Sequence, residues 1–118
     1  MIAELKSSKD ENRIAVKSGS QIILVGLDEI DWIGSADNYA ELHVGEKSHL
    51  LRETMSALEA RLDAEKFVRI SRSVIVNVKR VKELKRLFHG GYDVILADGT
   101  MLTLSRRHRD KLPQLGIS

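Results

Sequence analysis

Short alternations of apolar and polar residues dominate the chain and predict β-strands more often than helices. In the first half the turns between strands are marked by Gly19-Ser20 and by Asp37-Asn38, since asparagine and aspartate tolerate left-handed backbone geometry. Residues 27–30 are too few for a helix and are expected to form a single turn. Strands are predicted at residues 13–17, 21–25, 31–36, 39–44 and 48–52.

One segment, residues 54–62, has helical periodicity. Thr54 can cap its N-terminus, and Met55, Leu58 and Leu62 recur at i, i+3 and i+7 on one face. A helix of barely three turns is not stable alone, so we expect it to pack on a sheet.

The segment at residues 67–77 combines a strand pattern with polar side chains that suit nucleic acid. Apolar and polar residues alternate in its first half, and residues 74–76 are a continuous β-branched run that is typical of a buried strand. Guanidinium and hydroxyl groups hold phosphate oxygens, and arginine also reads a guanine edge through two hydrogen bonds. A strand with a solvated polar face explains the same residues equally well. The side chains concerned are those of Arg69, Ser71, Arg72 and Ser73.

Beyond residue 77 the pattern returns to short strands. Residues 105–112 can form one polar helical turn that Ser105 caps and Pro113 ends. Many short strands with tight turns and one small helix predict a mostly-β domain. Strands are predicted at residues 81–89, 92–97 and 100–104, with hairpin turns at 90–91 and 98–99.

The length of 118 residues fits one domain with a core of its own. We expect this domain at residues 13–112, a linker or disordered extension at 1–12 and a C-terminal tail at 113–118. The chain has no cysteine, which excludes disulfides and thiolate metal sites and favours a cytoplasmic location. None of its apolar runs approaches the roughly 18–20 residues that a membrane helix needs.

The net charge of +2 conceals an asymmetry between the two halves. Residues 1–65 hold 7 Lys+Arg against 13 Asp+Glu, a net charge of −6, whereas residues 66–118 hold 12 against 4, a net charge of +8. Segregation of this size predicts a cationic face directed at a polyanion, unless folding mixes the charges again.

Residue patterns for catalysis are lacking in the sequence. No carboxylate has the apolar context that would raise its pKa for acid–base work, and no nucleophile, zincin or phosphate-loop motif is found. His43 and His49 lie on adjacent predicted strands, but a metal site would need a third ligand. We therefore expect neither an enzyme nor a metal site.

Basic residues cluster in three places, the first of which is residues 69–73. In the second, residues 105–109, a hydroxyl and three guanidinium groups follow a strand, and a helix start would add free N–H groups for phosphate. An exposed sheet edge blunted by charge explains the third cluster equally well. The scarcity of aromatic residues favours duplex over single-stranded nucleic acid. The third cluster comprises Lys79, Arg80, Lys82, Lys85 and Arg86.

The most specific motif is Phe-x-Arg-x-x-x-Ser-x-x-x-Asn at residues 67–77, followed by a strand that runs into Ser105-Arg106-Arg107. With Leu-Asp-Glu-Ile-Asp-Trp-Ile at residues 27–33 and Asp-Asn-Tyr at residues 37–39, it resembles a LytTR-type DNA-binding domain. Such domains are the output modules of many bacterial response regulators. The resemblance extends over about residues 13–112.

The resemblance implies an elongated fold of about ten strands in several small antiparallel sheets with one short helix. It implies that loops enter successive major grooves of double-stranded DNA. Asn77 is expected to stabilise its own turn. The base-contacting positions would be Arg72, Arg107, Asn38 and Tyr39. The backbone-contacting positions would be Arg69, Ser71, Ser73, Lys79, Ser105 and Arg106.

Two departures from the family pattern affect these roles. Ser71 stands where many members have histidine, and Arg72 is a large, charged choice at a variable position, so the preferred bases should differ from those of relatives. The resemblance also implies dimers on promoters with repeated half-sites, an upstream receiver or membrane sensor domain, and no cofactor or small-molecule substrate. The alternatives are a small β-rich RNA-binding module and a protein-interaction domain with a basic face.

Overall fold

The computed structural model describes residues 13–116, which form an elongated body of 51 × 28 × 24 Å. Ten strands make three antiparallel sheets beside one α-helix, so the predicted mostly-β class is confirmed. The linker predicted at residues 1–12 lies outside the described residues. The strands are β1 (Arg13–Ser18), β2 (Gln21–Gly26), β3 (Trp32–Ala36), β4 (Tyr39–Val44), β5 (Lys47–Leu51), β6 (Phe67–Ser71), β7 (Val74–Asn77), β8 (Val81–Arg86), β9 (Tyr92–Leu96) and β10 (Met101–Leu104). The helix is α1 (Met55–Arg61), and 3₁₀ segments lie at Leu27–Glu29, Val78–Arg80 and Arg106–Leu115.

A five-stranded sheet in the order β5-β4-β3-β7-β6 forms the middle layer. The hairpin β1–β2 and α1 cover one of its faces, and the three-stranded sheet β10-β9-β8 covers the other. The first core lies between this sheet and the hairpin with α1, and the second core lies between it and the three-stranded sheet. Since successive side chains of a strand point to opposite faces, β7 supplies Ile75 to the first core and Val76 to the second. The continuous β-branched run of β7 therefore serves two cores, as its sequence predicted.

The helix α1 follows its sequence signals closely. The Thr54 side-chain oxygen accepts a hydrogen bond from the Ala57 N–H at 3.0 Å, and Leu58 is fully buried against the sheet. The predicted cap and apolar face are both confirmed. No helix within residues 13–116 has the length and apolar character that a membrane crossing requires.

A β-bulge interrupts the pairing of β6 with β7, close in space to the start of the second basic cluster, residues 105–109. Arg69 pairs with Ile75, but Val74 pairs with Ser71 instead of Ile70. The carbonyl of Ile70 accepts a hydrogen bond from the Ser105 N–H at 3.0 Å. The bulge thus fixes the end of β10 to the end of β6.

The C-terminal segment differs from the prediction. Its 3₁₀ turns continue through Pro113 to Leu115, with a kink at His108, so the expectation that Pro113 ends it is wrong. The reason is packing, because Leu112 and Leu115 both lie against the second core. Ser105 does not cap this segment through its side chain.

Asn77 is the one buried polar residue in the described part of the chain. Its side-chain oxygen accepts a hydrogen bond from the Lys79 N–H at 3.0 Å, and its amide nitrogen donates to the Ile30 carbonyl at 2.8 Å. The expected role of Asn77 in its own turn is confirmed, and the second bond also joins that turn to the loop before β3.

Candidate nucleic-acid interface

Three loops meet at one end of the five-stranded sheet. Because β3 and β7 are antiparallel neighbours, the β3–β4 turn lies beside the β6–β7 turn, and the Ser35 N–H donates to the Ser73 carbonyl at 2.9 Å. The hydrogen bond from Ser105 to Ile70 brings the end of β10 to the same place. Two basic clusters far apart in sequence, residues 69–73 and 105–109, are therefore neighbours in the fold.

The first concave surface at this end is the Arg72 groove, a depression of about 360 Å³. Asp37 is in the left-handed region at φ 57°, which turns the chain sharply and leaves Asn38 and Tyr39 exposed. Arg72 is exposed, and within residues 13–116 its guanidinium makes no hydrogen bond or ion pair. Three of the four predicted base-contacting residues thus line one groove. Its lining includes Asn38, Tyr39, Thr54, Ser56, Arg69 and Arg72.

The Arg72 groove also contains acidic groups. The carboxylates of Asp37 and Glu53 line it, and that of Glu53 is paired with Arg61 at 2.8 Å. A groove with both signs of charge is a poor phosphate site, but it offers donors and acceptors of the kinds that base edges pair with.

Arg69 fixes the geometry of the β6–β7 turn. Its Nε donates to the Ser71 carbonyl at 3.2 Å and its Nη2 to the Arg72 carbonyl at 2.6 Å. Its Nη1 donates to Ser56 Oγ at 3.2 Å and to Glu59 Oε1 at 3.1 Å on α1. All three nitrogens have partners and the side chain is only 17% exposed. The predicted phosphate contact of Arg69 stays a prediction, and sequence reasoning missed this positioning role.

The two serines of the β6–β7 turn differ in their availability. Ser71 Oγ accepts a hydrogen bond from the Ser73 N–H at 3.3 Å, so it stabilises the turn. The Ser73 side chain is exposed beside Arg72. Their predicted backbone contacts stay predictions.

The second concave surface is the Arg107 groove, a depression of about 700 Å³ between the β8–β9 loop and the start of the C-terminal segment. Arg106, Arg107 and Arg109 are exposed along it, and its lining holds no carboxylate among the described residues. Ser105 Oγ lies 2.8 Å from His108 Nδ1. Because its three guanidinium groups have no carboxylate beside them in the lining, the Arg107 groove suits phosphate better than the Arg72 groove does. Its lining includes His89, Gly91, Ser105, Arg106, Arg107 and Arg109.

Lys79 lies apart from the other predicted contacts. It follows the far end of β7, whereas Arg72 precedes the near end, and a four-residue strand spans about 13 Å. Its neighbour Arg80 donates from Nε to Asp31 Oδ1 at 2.8 Å, which is a structural ion pair. Lys82 and Lys85 are exposed on β8, an edge strand of the three-stranded sheet. For the third basic cluster the structure thus agrees with a charged sheet edge.

Neither the histidines nor the acidic residues suggest a catalytic centre. The His43 ring stacks on Trp32 with centroids 3.9 Å apart, and His49 lies opposite Leu42, so the two histidines are on opposite faces of the sheet. Residues 13–116 hold no group of three or more metal-ligating side chains. Hydrogen bonds from Thr100 lower the pKa of Asp98, the opposite of what a general acid needs.

A family model described as "LytTr DNA-binding domain" matches residues 20–116. The chain belongs to the LytTr DNA-binding domain family. The resemblance inferred from the sequence is thereby confirmed.

Relatives and a solved structure agree with this assignment. The chain is 27% identical over 112 residues to the sensory transduction protein LytT of Bacillus subtilis (strain 168), covering 95% of this chain and 46% of that protein. It is 29% identical over 105 residues to the transcriptional regulatory protein LytR of Staphylococcus aureus (strain N315), covering 89% of this chain and 43% of that protein. A LytTr DNA-binding domain from Bacillus cereus matches the fold with a TM-score of 0.80 at 19% identity, over 89% of this chain and 96% of that one. This LytTr domain therefore spans less than half the length of those two relatives.

Proposed function

We propose that this LytTr domain binds specific sites on double-stranded DNA. The Arg72 groove would mainly contact base edges, and the Arg107 groove would mainly hold phosphates, with Arg107 itself reaching one base edge beside them. The observation that carries the proposal is the difference in charge between the two grooves. The Arg107 groove presents three arginines without a carboxylate, whereas the Arg72 groove mixes Arg72 with Asp37 and Glu53. Phosphates supply most of the affinity for DNA, and base edges supply the discrimination.

In this proposal Arg72 and Arg107 read base edges. Both guanidinium groups are exposed, and neither makes a hydrogen bond or ion pair within residues 13–116, so each is free to bind guanine O6 and N7. Asn38 and Tyr39 adjoin Arg72 and would contact neighbouring bases.

Backbone contacts would come from the residues around the two arginines. Arg106, which lines the Arg107 groove, would hold phosphate oxygens together with Ser73 and Ser105 at the loop ends. Arg69 and Ser71 would act mainly by shaping the turn that presents Arg72.

Two relatives bear the names sensory transduction protein and transcriptional regulatory protein, and both are about twice as long as this chain. These names support a role in signal-dependent transcriptional regulation, in which this domain would be the output module of a cytoplasmic regulator. An upstream receiver or membrane sensor domain would then control pairing of two copies on a promoter with repeated half-sites.

The exposed aromatic side chains favour duplex DNA over single-stranded RNA. Phe67 is buried in the first core, Trp32 is stacked on His43, and Tyr92 is partly buried against the second core. Tyr39 and Phe88 are therefore the exposed aromatic residues of the described chain. Two rings at separate loops do not make a base-stacking platform.

The test is fluorescence anisotropy of this domain with random-sequence duplex DNA across a salt series. We expect a steep linear fall of log affinity with log salt, because several condensed counterions are released. A preferred site is then selected from a random pool with the same protein. A flat or absent salt response would reject DNA binding and favour a protein partner for the basic face, and stronger competition by RNA than by duplex would favour the RNA-binding alternative.

A further inference from the structure

Phe88 is the most exposed large apolar side chain of the described residues, with a relative accessibility of 109%. It lies at the tip of the β8–β9 loop, which two backbone hydrogen bonds close. The Leu87 N–H donates to the Gly91 carbonyl at 2.9 Å, and the Gly90 N–H donates to the Leu87 carbonyl at 3.2 Å. The ring is therefore held out on a short, closed loop.

This loop is packed against Arg106 and Arg109 of the Arg107 groove. Arg106 Nη1 donates to the His89 carbonyl at 3.4 Å, and a Cβ atom at Gly90 would lie 3.3 Å from Arg109 Nη1. A Cβ atom at Gly91 would lie 3.0 Å from the Leu104 carbonyl oxygen. The contacts of His89, Gly90 and Gly91 place Phe88 at the rim of the groove that we assign to phosphate.

A fully exposed phenylalanine beside three arginines suits a partner that is anionic and also has apolar surface. Duplex DNA has both, since its phosphates flank deoxyribose rings and base edges, and DNA-binding proteins press phenylalanine side chains against or between base steps. We propose that Phe88 contacts the sugar and base wall of the DNA next to the phosphates that the Arg107 groove holds. This inference rests on the proposed function and adds an apolar contact to it.

The test compares Phe88→Ala with Met101→Ala on random-sequence duplex across the same salt series. Met101 is a suitable control because it is 59% exposed in the same three-stranded sheet, at the opposite end of β10 from Ser105. We expect Phe88→Ala to weaken binding about tenfold, the loss expected when an apolar ring that the DNA covers only in part is removed. The salt slope should stay at the wild-type value, because an apolar contact releases no counterion. Phe88→Leu should keep most of the affinity.

The outcomes separate this inference from the proposed function. If the wild-type domain binds duplex DNA and Phe88→Ala binds within twofold of Met101→Ala, the role of Phe88 is rejected while DNA binding stands. If Phe88→Ala lowers the salt slope, the ring positions the arginines and the proposed contact is also rejected. A wild-type domain that shows no salt-dependent binding rejects the proposed function itself. Phe88→Ala should unfold at the wild-type temperature, because the side chain makes no packing contact that the substitution would remove.

Discussion

Arg69 shows that a basic residue in a DNA-binding motif can also hold the local structure together. Its guanidinium joins α1 to two carbonyls of the β6–β7 turn, so it determines where Arg72 is held. The planar guanidinium of arginine has five N–H donors and can donate to all of these partners at once, whereas the ammonium group of lysine cannot.

Arg69→Lys tests this role because it keeps the charge and changes the geometry. We expect the free energy of unfolding to fall by about 1–3 kcal/mol, since the part-buried bond to the Ser71 carbonyl and the bonds to the other partners of Arg69 are lost together. Urea denaturation followed by circular dichroism measures it. Arg72→Lys is the matched control and should stay within about 0.5 kcal/mol, because Arg72 is exposed and supports no other group. A fully stable Arg69→Lys that loses affinity for random DNA would restore the predicted phosphate contact.

Arg72 and Arg107 differ from Arg69 because both are exposed and neither guanidinium has a hydrogen-bond or ion-pair partner within residues 13–116, and we propose that DNA is their partner. Arg72→Ala and Arg107→Ala should each cost about 1–3 kcal/mol of binding free energy on the selected site and little on random duplex. Anisotropy titrations on both DNAs measure the difference. Equal losses on both would make these arginines phosphate contacts.

The residues also show what a sequence can and cannot predict. Asn77 was predictable because it accepts a hydrogen bond from Lys79, two residues away. The role of Arg69 was not, because its partners Ser56 and Glu59 lie 13 and 10 residues away on another element. A turn depends on residues that are adjacent in sequence and can be predicted from them. The partners of a long side chain such as that of Arg69 come from other elements, so they are known only from the folded structure.

At the scale of elements, one hydrogen bond joins the two grooves. Because of the bulge in β6, the Ile70 carbonyl is not paired with β7 and accepts a hydrogen bond from the Ser105 N–H. This bond fixes the start of the C-terminal segment beside the end of β6. Periodicity predicted most of the strands and α1, because each has its own pattern of buried positions. The continuation past Pro113 was not predictable in this way, because it depends on Leu112 and Leu115 reaching a core built from distant strands.

Ser105→Pro tests this junction with little backbone strain. Ser105 has φ −76°, which proline also adopts, so the substitution removes the N–H and the hydroxyl but keeps the path of the chain. Relative to Ser105→Ala, which loses only the hydroxyl, we expect a further loss of about 1–3 kcal/mol in the free energy of unfolding, because the Ile70 carbonyl is left unpaired. Affinity for the selected site should fall more than affinity for random DNA, since the two grooves lose their fixed spacing. If the proline and alanine variants behave alike, this bond does not set the spacing.

At the scale of the whole molecule, the elongated body of 51 Å offers a duplex more surface than the loop end alone. The resemblance predicted a phosphate contact at Lys79, but the loops that carry the other predicted contacts lie at the opposite end of β7. We therefore expect Lys79→Ala to leave both affinity and salt slope unchanged, whereas Arg106→Ala should reduce the slope by about 0.9, the value for one lost phosphate contact. The same anisotropy salt series on random duplex measures both variants. An equal reduction by Lys79→Ala would mean that the duplex runs along the five-stranded sheet beyond its loop end, and the contact at Lys79 would then stand.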